Sequence, residues 1–161
     1  MTLAYVALGS NLDDPRQQVL VAMAALADLP DTRVLQRSAL YRTPPWGVLQ
    51  QPPFVNAVVE LETTLSPQAL LQGLLDIEQR AGRIRTQRNG PRTLDLDLLH
   101  VVGARLDQPQ LTLPHPRMAE RAFVLLPLND VAPDLSVPGV GRVAELLAQV
   151  DATGCERLLA S

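Results

Sequence analysis

The stretch from Arg80 to Leu99 carries the residues best suited to chemistry. Between Glu78 and Asp95 stand Arg80, Arg83, Arg85, Arg88 and Arg92 with no acid among them, a local charge of +5 in a chain whose formal net charge is -3. Such a run is ordinarily a solvated face. Here Gly82, Gly90 and Pro91 make much of it loop, and loops held on a rigid scaffold often carry function. Guanidinium groups present forked donors that match phosphate oxygens. Next comes Leu94-Asp95-Leu96-Asp97-Leu98-Leu99. In a strand this alternation sends Leu94, Leu96 and Leu98 to one face and both aspartates to the other. Carboxylates two residues apart are about 6.6–6.8 Å apart along the backbone. Their oxygens can converge on one Mg²⁺, or on two ions about 3.5–4 Å apart. An exposed pair salt-bridged to Arg92 is the ordinary alternative. Five arginines immediately upstream tip the reading toward metal plus polyphosphate.

The aromatic residues point to a second ligand. There are five: Tyr5, Tyr41, Trp46, Phe54 and Phe123. Tyr5 and Tyr41 suit the core, whereas Trp46 lies in a proline-rich loop with little core to fill. Phe54 and Asn56 share one face of a strand, a stacking surface beside an amide that both donates and accepts. A flat heterocycle would use such a pair, and each aromatic stack adds roughly 0.5–1.5 kcal/mol beyond area burial.

The elements that must position these groups follow from periodicity. Leu3 to Leu8 reads as a strand ended by Gly9, Ser10 and Asn11. Asp13 or Asp14 caps a helix with Pro15 in its first turn, carrying Val19, Ala22, Met23, Leu26 and Leu29 at helical spacing. Arg33 to Arg42 suits one extended strand, and Thr43 to Pro53, with four prolines, must be loop. Phe54 to Glu62 reads as a strand, with Phe54, Asn56 and Val58 on one face and Val55, Ala57 and Val59 on the other. Ser66-Pro67 opens a helix that Gly82 ends. Leu94 to Val102 is a strand, Leu111 to Leu113 a short extended piece, and helices are expected near Phe123 to Asp130 and Val143 to Gln149. The tail from Asp151 to Ser161 is expected to be helical or frayed. Strand, helix, strand, strand, helix, strand predicts an α/β (α+β) fold of ferredoxin-like type: an antiparallel sheet with helices packed on one face and the active site on the other.

Composition narrows the classes further. The chain has 161 residues, 47% hydrophobic and 19% charged, with a mean hydropathy of +0.07. One domain over residues 1–161 is expected, burying roughly 70% of its unfolded surface. All fourteen basic residues are arginine. A phosphate-loop NTPase, a protein-kinase fold and Schiff-base chemistry each need a lysine and are excluded. Mild acidity argues against broad nucleic-acid binding, and no apolar run approaches the ~18 residues of a membrane span. Cys155 stands alone, so a reducing, cytoplasmic location is expected. With His100 and His115 it leaves no zinc site of ordinary spacing.

Ala7-Leu8-Gly9-Ser10-Asn11-Leu12, Tyr41-Arg42-Thr43-Pro44-Pro45, Phe54-Val55-Asn56-Ala57, Gly90-Pro91-Arg92-Thr93-Leu94-Asp95-Leu96-Asp97-Leu98-Leu99 and Leu113-Pro114-His115-Pro116 occur in that order. Together with Arg121, Phe123 and Pro127 they resemble the 6-hydroxymethyl-7,8-dihydropterin pyrophosphokinase family, from near residue 2 to about residue 135. The resemblance implies a ferredoxin-like enzyme of folate biosynthesis that moves the β,γ-pyrophosphoryl group of ATP onto the pterin hydroxymethyl and releases AMP. It further implies that Asp95 and Asp97 bind two Mg²⁺ ions and that Arg83, Arg85 and Arg92 contact phosphates. His115 and Arg121 would hold the nucleotide, with Glu78 and Leu98 near adenine or ribose. Thr43, Pro44, Pro45 and Trp46 would line the pterin site, Phe54 and Phe123 would sandwich the ring, and Asn56 would read its edge. ATP and the dihydropterin are the expected partners of a monomer, with no nucleic acid or membrane. Asn89 and Pro116 depart from the family, standing where relatives often carry aromatics.

Two rivals stay open on the residues themselves. A non-catalytic anion-binding regulatory module has no need for the paired aspartates. A two-metal nuclease is suggested by Asp-x-Asp alone, against the net charge and the missing lysine.

Overall fold

Two long strands form the middle of the sheet: β1 (Thr2–Ser10) and β4 (Phe54–Thr63). They pair antiparallel from Thr2↔Thr63 to Ser10↔Val55. These and the elements below come from a computed structural model that describes residues 1–12, 14–44, 52–81 and 94–158. On the other side of β1 runs β5 (Asp95–Val101), antiparallel and at the edge of the sheet. Beyond β4 lies β3 (Tyr41–Thr43), while β2 (Thr32–Arg37) pairs with the far end of the same β4.

The expected single strand from Arg33 to Arg42 is therefore two strands, and Ser38 explains the break. Its Oγ accepts Val58 N–H at 2.9 Å and donates to Ala39 C=O at 2.7 Å, while Ser38 N–H donates to Val58 C=O. A side chain thus replaces a ladder carbonyl, and the backbone turns without orphaning a buried donor.

Strict alternation divides the side chains of the sheet. Val6, Leu8, Val55, Ala57, Val59, Leu96 and Leu98 enter the main core beneath α1 (Pro15–Ala27) and α2 (Pro67–Arg80). Asp14 caps α1 by accepting Gln17 N–H, and Ser66 caps α2 by accepting Ala69 N–H, each ahead of a proline in the first turn. Tyr5, Ala7, Val58 and Leu99 face the opposite way. The expected fold class holds, but helices are not confined to one face. The segment α3 (Ala122–Val131) lies over this second face with Val124, Leu128 and Val131, and α4 (Val143–Gln149) adds Val143. The site can occupy only the part of that face which α3 leaves open.

The tail is neither helical nor frayed where it is described. Glu156–Arg157 forms a further strand, β6, paired with β3, and Leu158 N–H donates to Leu40 C=O at 2.8 Å. This covers the unpaired edge of β3, which would otherwise leave donors and acceptors open. Among the described residues no helix is long and apolar enough to cross a membrane.

Candidate active site

Small residues on β1 create the hollow. Ala7 and Gly9 sit two apart on the second face. Gly9 is flanked by Asn56 of β4 and Asp95 of β5, and Ala7 by Val58 and Asp97. Two strand spacings separate Asn56 from Asp95, roughly 10 Å. Over this low floor lies an open cleft of about 670 Å³ including its mouth, lined by Thr43, Pro44, Phe54, Asn56, Asp95, Asp97, Arg121 and Phe123 among others. Eight residues expected from the sequence thus meet in one place.

One end of the cleft is built for a flat polar ring. Asn56 is buried, and its Nδ2 donates to Thr43 Oγ1 at 2.6 Å. That bond fixes the amide orientation, so Oδ1 is the acceptor turned toward Gly9 and the Thr43 hydroxyl is left to donate elsewhere. Phe54 starts β4 on the same face as Asn56, and Phe123 sits in the first turn of α3 above.

The other end is built for charge. Asp95 and Asp97 share a face of β5, as alternation required, and the Asp97 side chain is 36% exposed. Arg121 Nη1 stands 4.0 Å from Asp97 Oδ2, and its guanidinium lies 5.5 Å from the centre of the Phe123 ring. Arg121 Nε is buried with no hydrogen-bond partner among the described residues. A buried, unsatisfied cationic donor beside two carboxylates fits an anionic ligand that arrives with its own metal.

His115 borders this end. A bulge in β5 pairs Val6 with Leu98 but Tyr5 with His100, leaving Leu99 without an opposite residue. The Leu99 carbonyl accepts His115 N–H at 2.8 Å, while His115 Nδ1 accepts Arg117 N–H at 3.1 Å. The neutral tautomer therefore carries its proton on Nε2. Burial first, and then the Arg121 cation, push the His115 pKa down to about 4, against the opposing pull of Asp95. At neutral pH it is an uncharged donor.

Glu78 and Leu98 lie apart from the cleft. Leu98 packs in the main core, so its side chain is not offered to a ligand. Glu78 is buried on α2, and its Oε2 accepts Leu96 N–H at 2.7 Å. It anchors the residue between the two aspartates. Arg83, Arg85, Arg92, Pro45 and Trp46 fall outside the described residues. Gly9 was not singled out as a site residue, although small residues at i and i+2 of a motif-bearing strand are the signal of a hollow.

The sequence model of the 7,8-dihydro-6-hydroxymethylpterin-pyrophosphokinase family matches residues 5–133. The chain is 48% identical over 158 residues to a 2-amino-4-hydroxy-6-hydroxymethyldihydropteridine pyrophosphokinase of Methylorubrum extorquens, covering 98% of this chain and 99% of that protein. It is 51% identical over 154 residues to one of Pseudomonas aeruginosa, covering 96% and 95%. The Plasmodium falciparum HPPK-DHPS structure with pterin and p-hydroxybenzoate matches 99% of this chain with a TM-score of 0.76 at 15% identity, and this chain spans 47% of that longer one. The family match over residues 5–133 and relatives about half identical over nearly the whole chain make this a phosphate-transferring enzyme. The chain belongs to the 7,8-dihydro-6-hydroxymethylpterin-pyrophosphokinase family. It is a diphosphotransferase that moves pyrophosphate onto hydroxymethyldihydropterin in folate synthesis.

Proposed function

We propose that the donor is ATP, that AMP leaves, and that the two ends of the cleft hold the two substrates. The observation that carries this reading is the span across β1: an amide and two phenylalanines on one side, two carboxylates and Arg121 on the other. That span suits a pterin whose hydroxymethyl group points from the ring site toward the acids. Phe54 and Phe123 take the ring faces, and Asn56 with Thr43 reads its edge. Pro44, with Pro45 and Trp46, completes that wall.

Asp95 and Asp97 fit Mg²⁺. They are hard oxygen donors side by side, and Mg²⁺ is commonly held by one or two carboxylates with substrate phosphates rather than by an all-protein cage. Among the described residues no group of three or more His, Cys, Asp or Glu could enclose an ion, which agrees with that mode. Two bound ions would neutralise triphosphate charge and favour attack on the β-phosphorus. Arg121 and the neutral His115 Nε2–H donate to phosphate oxygens, and Arg83, Arg85 and Arg92 supply further cations. Leu96 N–H points out of the sheet to Glu78, so alternation turns the Leu98 peptide groups to the same open edge. There they can meet the adenine or ribose, with Glu78 close by. The chemistry is positioning and charge stabilisation. We place the enzyme in the cytoplasm as a monomer without nucleic-acid or membrane partners.

The test is AMP formation from ATP. It should require both Mg²⁺ and 6-hydroxymethyl-7,8-dihydropterin and stop on chelation. Folded protein that releases no AMP with all three present would overturn the reading.

A further inference from the structure

The two walls of the ring site belong to different elements, and one hydrogen bond outside the cleft ties them together. Tyr41 stands two residues before Thr43 on β3, so the two share a face. Asp130 stands seven residues after Phe123 on α3, two turns along, so these two also share a face. The Tyr41 hydroxyl donates to Asp130, 3.0 Å from Oδ1 and 2.9 Å from Oδ2. Asp130 Oδ2 also accepts Ala39 N–H at 3.1 Å. The same carboxylate thus holds β3 and the residue that leads into it.

We propose that Tyr41 and Asp130 are positioning residues whose hydrogen bond sets the gap between Phe123 on α3 and the β3–β4 wall, and thereby the affinity for the dihydropterin ring. This rests on reading that gap as the pterin site. A planar ring between two aromatic faces needs a gap of roughly 7 Å, and a misfit of about 0.5–1 Å forfeits a quarter to a half of the contact energy on that side. β3 is only three residues long and hangs between β4 and Glu156–Arg157, and the Asp130 carboxylate is what bonds it to α3. The bond is charge-assisted, and Tyr41 is buried. Burial first, then Asp130, push the phenol up to about 12, so the donor is present throughout the working pH range.

Steady-state kinetics with each substrate varied tests this. Tyr41→Phe, which keeps the ring and the packing, should raise the pterin KM at least about threefold while leaving the ATP KM and kcat within about twofold. Asp130→Ala should do the same, and the double variant should be no worse than either single change. Asp130→Asn, which retains one acceptor oxygen, should stay within about twofold of the unaltered enzyme. Should Tyr41→Phe fail to fold, the Asp130→Ala and Asp130→Asn pair decides alone. A smaller rise in pterin KM, equal effects of alanine and asparagine, or parallel rises in both KM values would overturn the inference. Absence of AMP release by the unaltered chain would overturn the functional reading and this inference with it. Normal AMP release with an unmoved pterin KM removes this inference alone.

Discussion

Gly9 and Asn56 face each other so closely that a Cβ on the glycine would stand 2.7 Å from Asn56 Oδ1. The contact is with the end of an amide already fixed by Thr43. Gly9→Ala should therefore rotate Asn56 and break its bond to Thr43 rather than unfold the sheet. Pterin affinity should drop about tenfold, the worth of one misplaced hydrogen bond. Pterin fluorescence titration measures it, and unchanged affinity would show that Asn56 does not read the ring.

Asp95→Asn and Asp97→Asn keep shape and remove charge. Each should lower kcat by on the order of a hundredfold or more, the range seen when one preorganised electrostatic group is lost. The melting temperature should move far less than kcat, because relief of the repulsion across Leu96 offsets part of what Asp97 loses to Arg121. A loss of stability in proportion to activity would assign the pair a structural role instead.

Glu78 serves the same strand from behind. Glu78→Ala strands the buried Leu96 N–H and should cost about 1–3 kcal/mol in urea unfolding. Glu78→Gln, which keeps an acceptor oxygen, should cost less. Equal losses would mean that charge rather than the bond to Leu96 matters.

His100 lies buried against Tyr5, ring centroids 6.4 Å apart, and its Nδ1 has no partner among the described residues. Burial lowers its pKa below the ordinary 6.5, and His115 shifts the same way. The unfolded chain therefore takes up protons that the folded one refuses as pH falls through 6.5. The stability these groups contribute is whole above that pH and is lost progressively as pH falls below it, for His115 down to about 4. His100→Phe, which keeps a ring on Tyr5, should flatten the fall in melting temperature between pH 7 and 5. An unchanged slope would assign the acid sensitivity elsewhere.

Legibility in the sequence followed the range of the interactions. Alternation in Phe54–Val59 and Leu94–Leu98 predicted the observed faces, because a two-residue period is local and one side is buried. Ser66-Pro67 predicted a real helix start. The acid pair and the Phe54–Asn56 face meet in the cleft because β1 lies between their strands, an order that periodicity does not encode. Where the answer depended on distant partners, the reading failed. Nothing near Ser38 announces that its hydroxyl will meet Val58 N–H, so one strand was expected instead of two. Nothing in Glu156–Arg157 names β3 as its partner. Leu98 and Glu78 drew their expected place near adenine or ribose from resemblance; their side chains are committed to the core and to Leu96, which leaves the Leu98 backbone as the group free for that role.

The extra residue at Leu99 works as a phase converter. Before it, odd-numbered Asp95 and Asp97 of β5 point to the cleft face of the sheet; after it, even-numbered His100 takes that same face, stacked on Tyr5 in the core beyond the cleft. Deleting that one residue would make the two halves of the strand compete for a single frame. Either both carboxylates would be driven into the leucine-filled interior, or an imidazole would change places with Val101. A shift of one residue, too small to alter the length of the chain noticeably, would thus cost this enzyme either the acid pair of its cleft or its core.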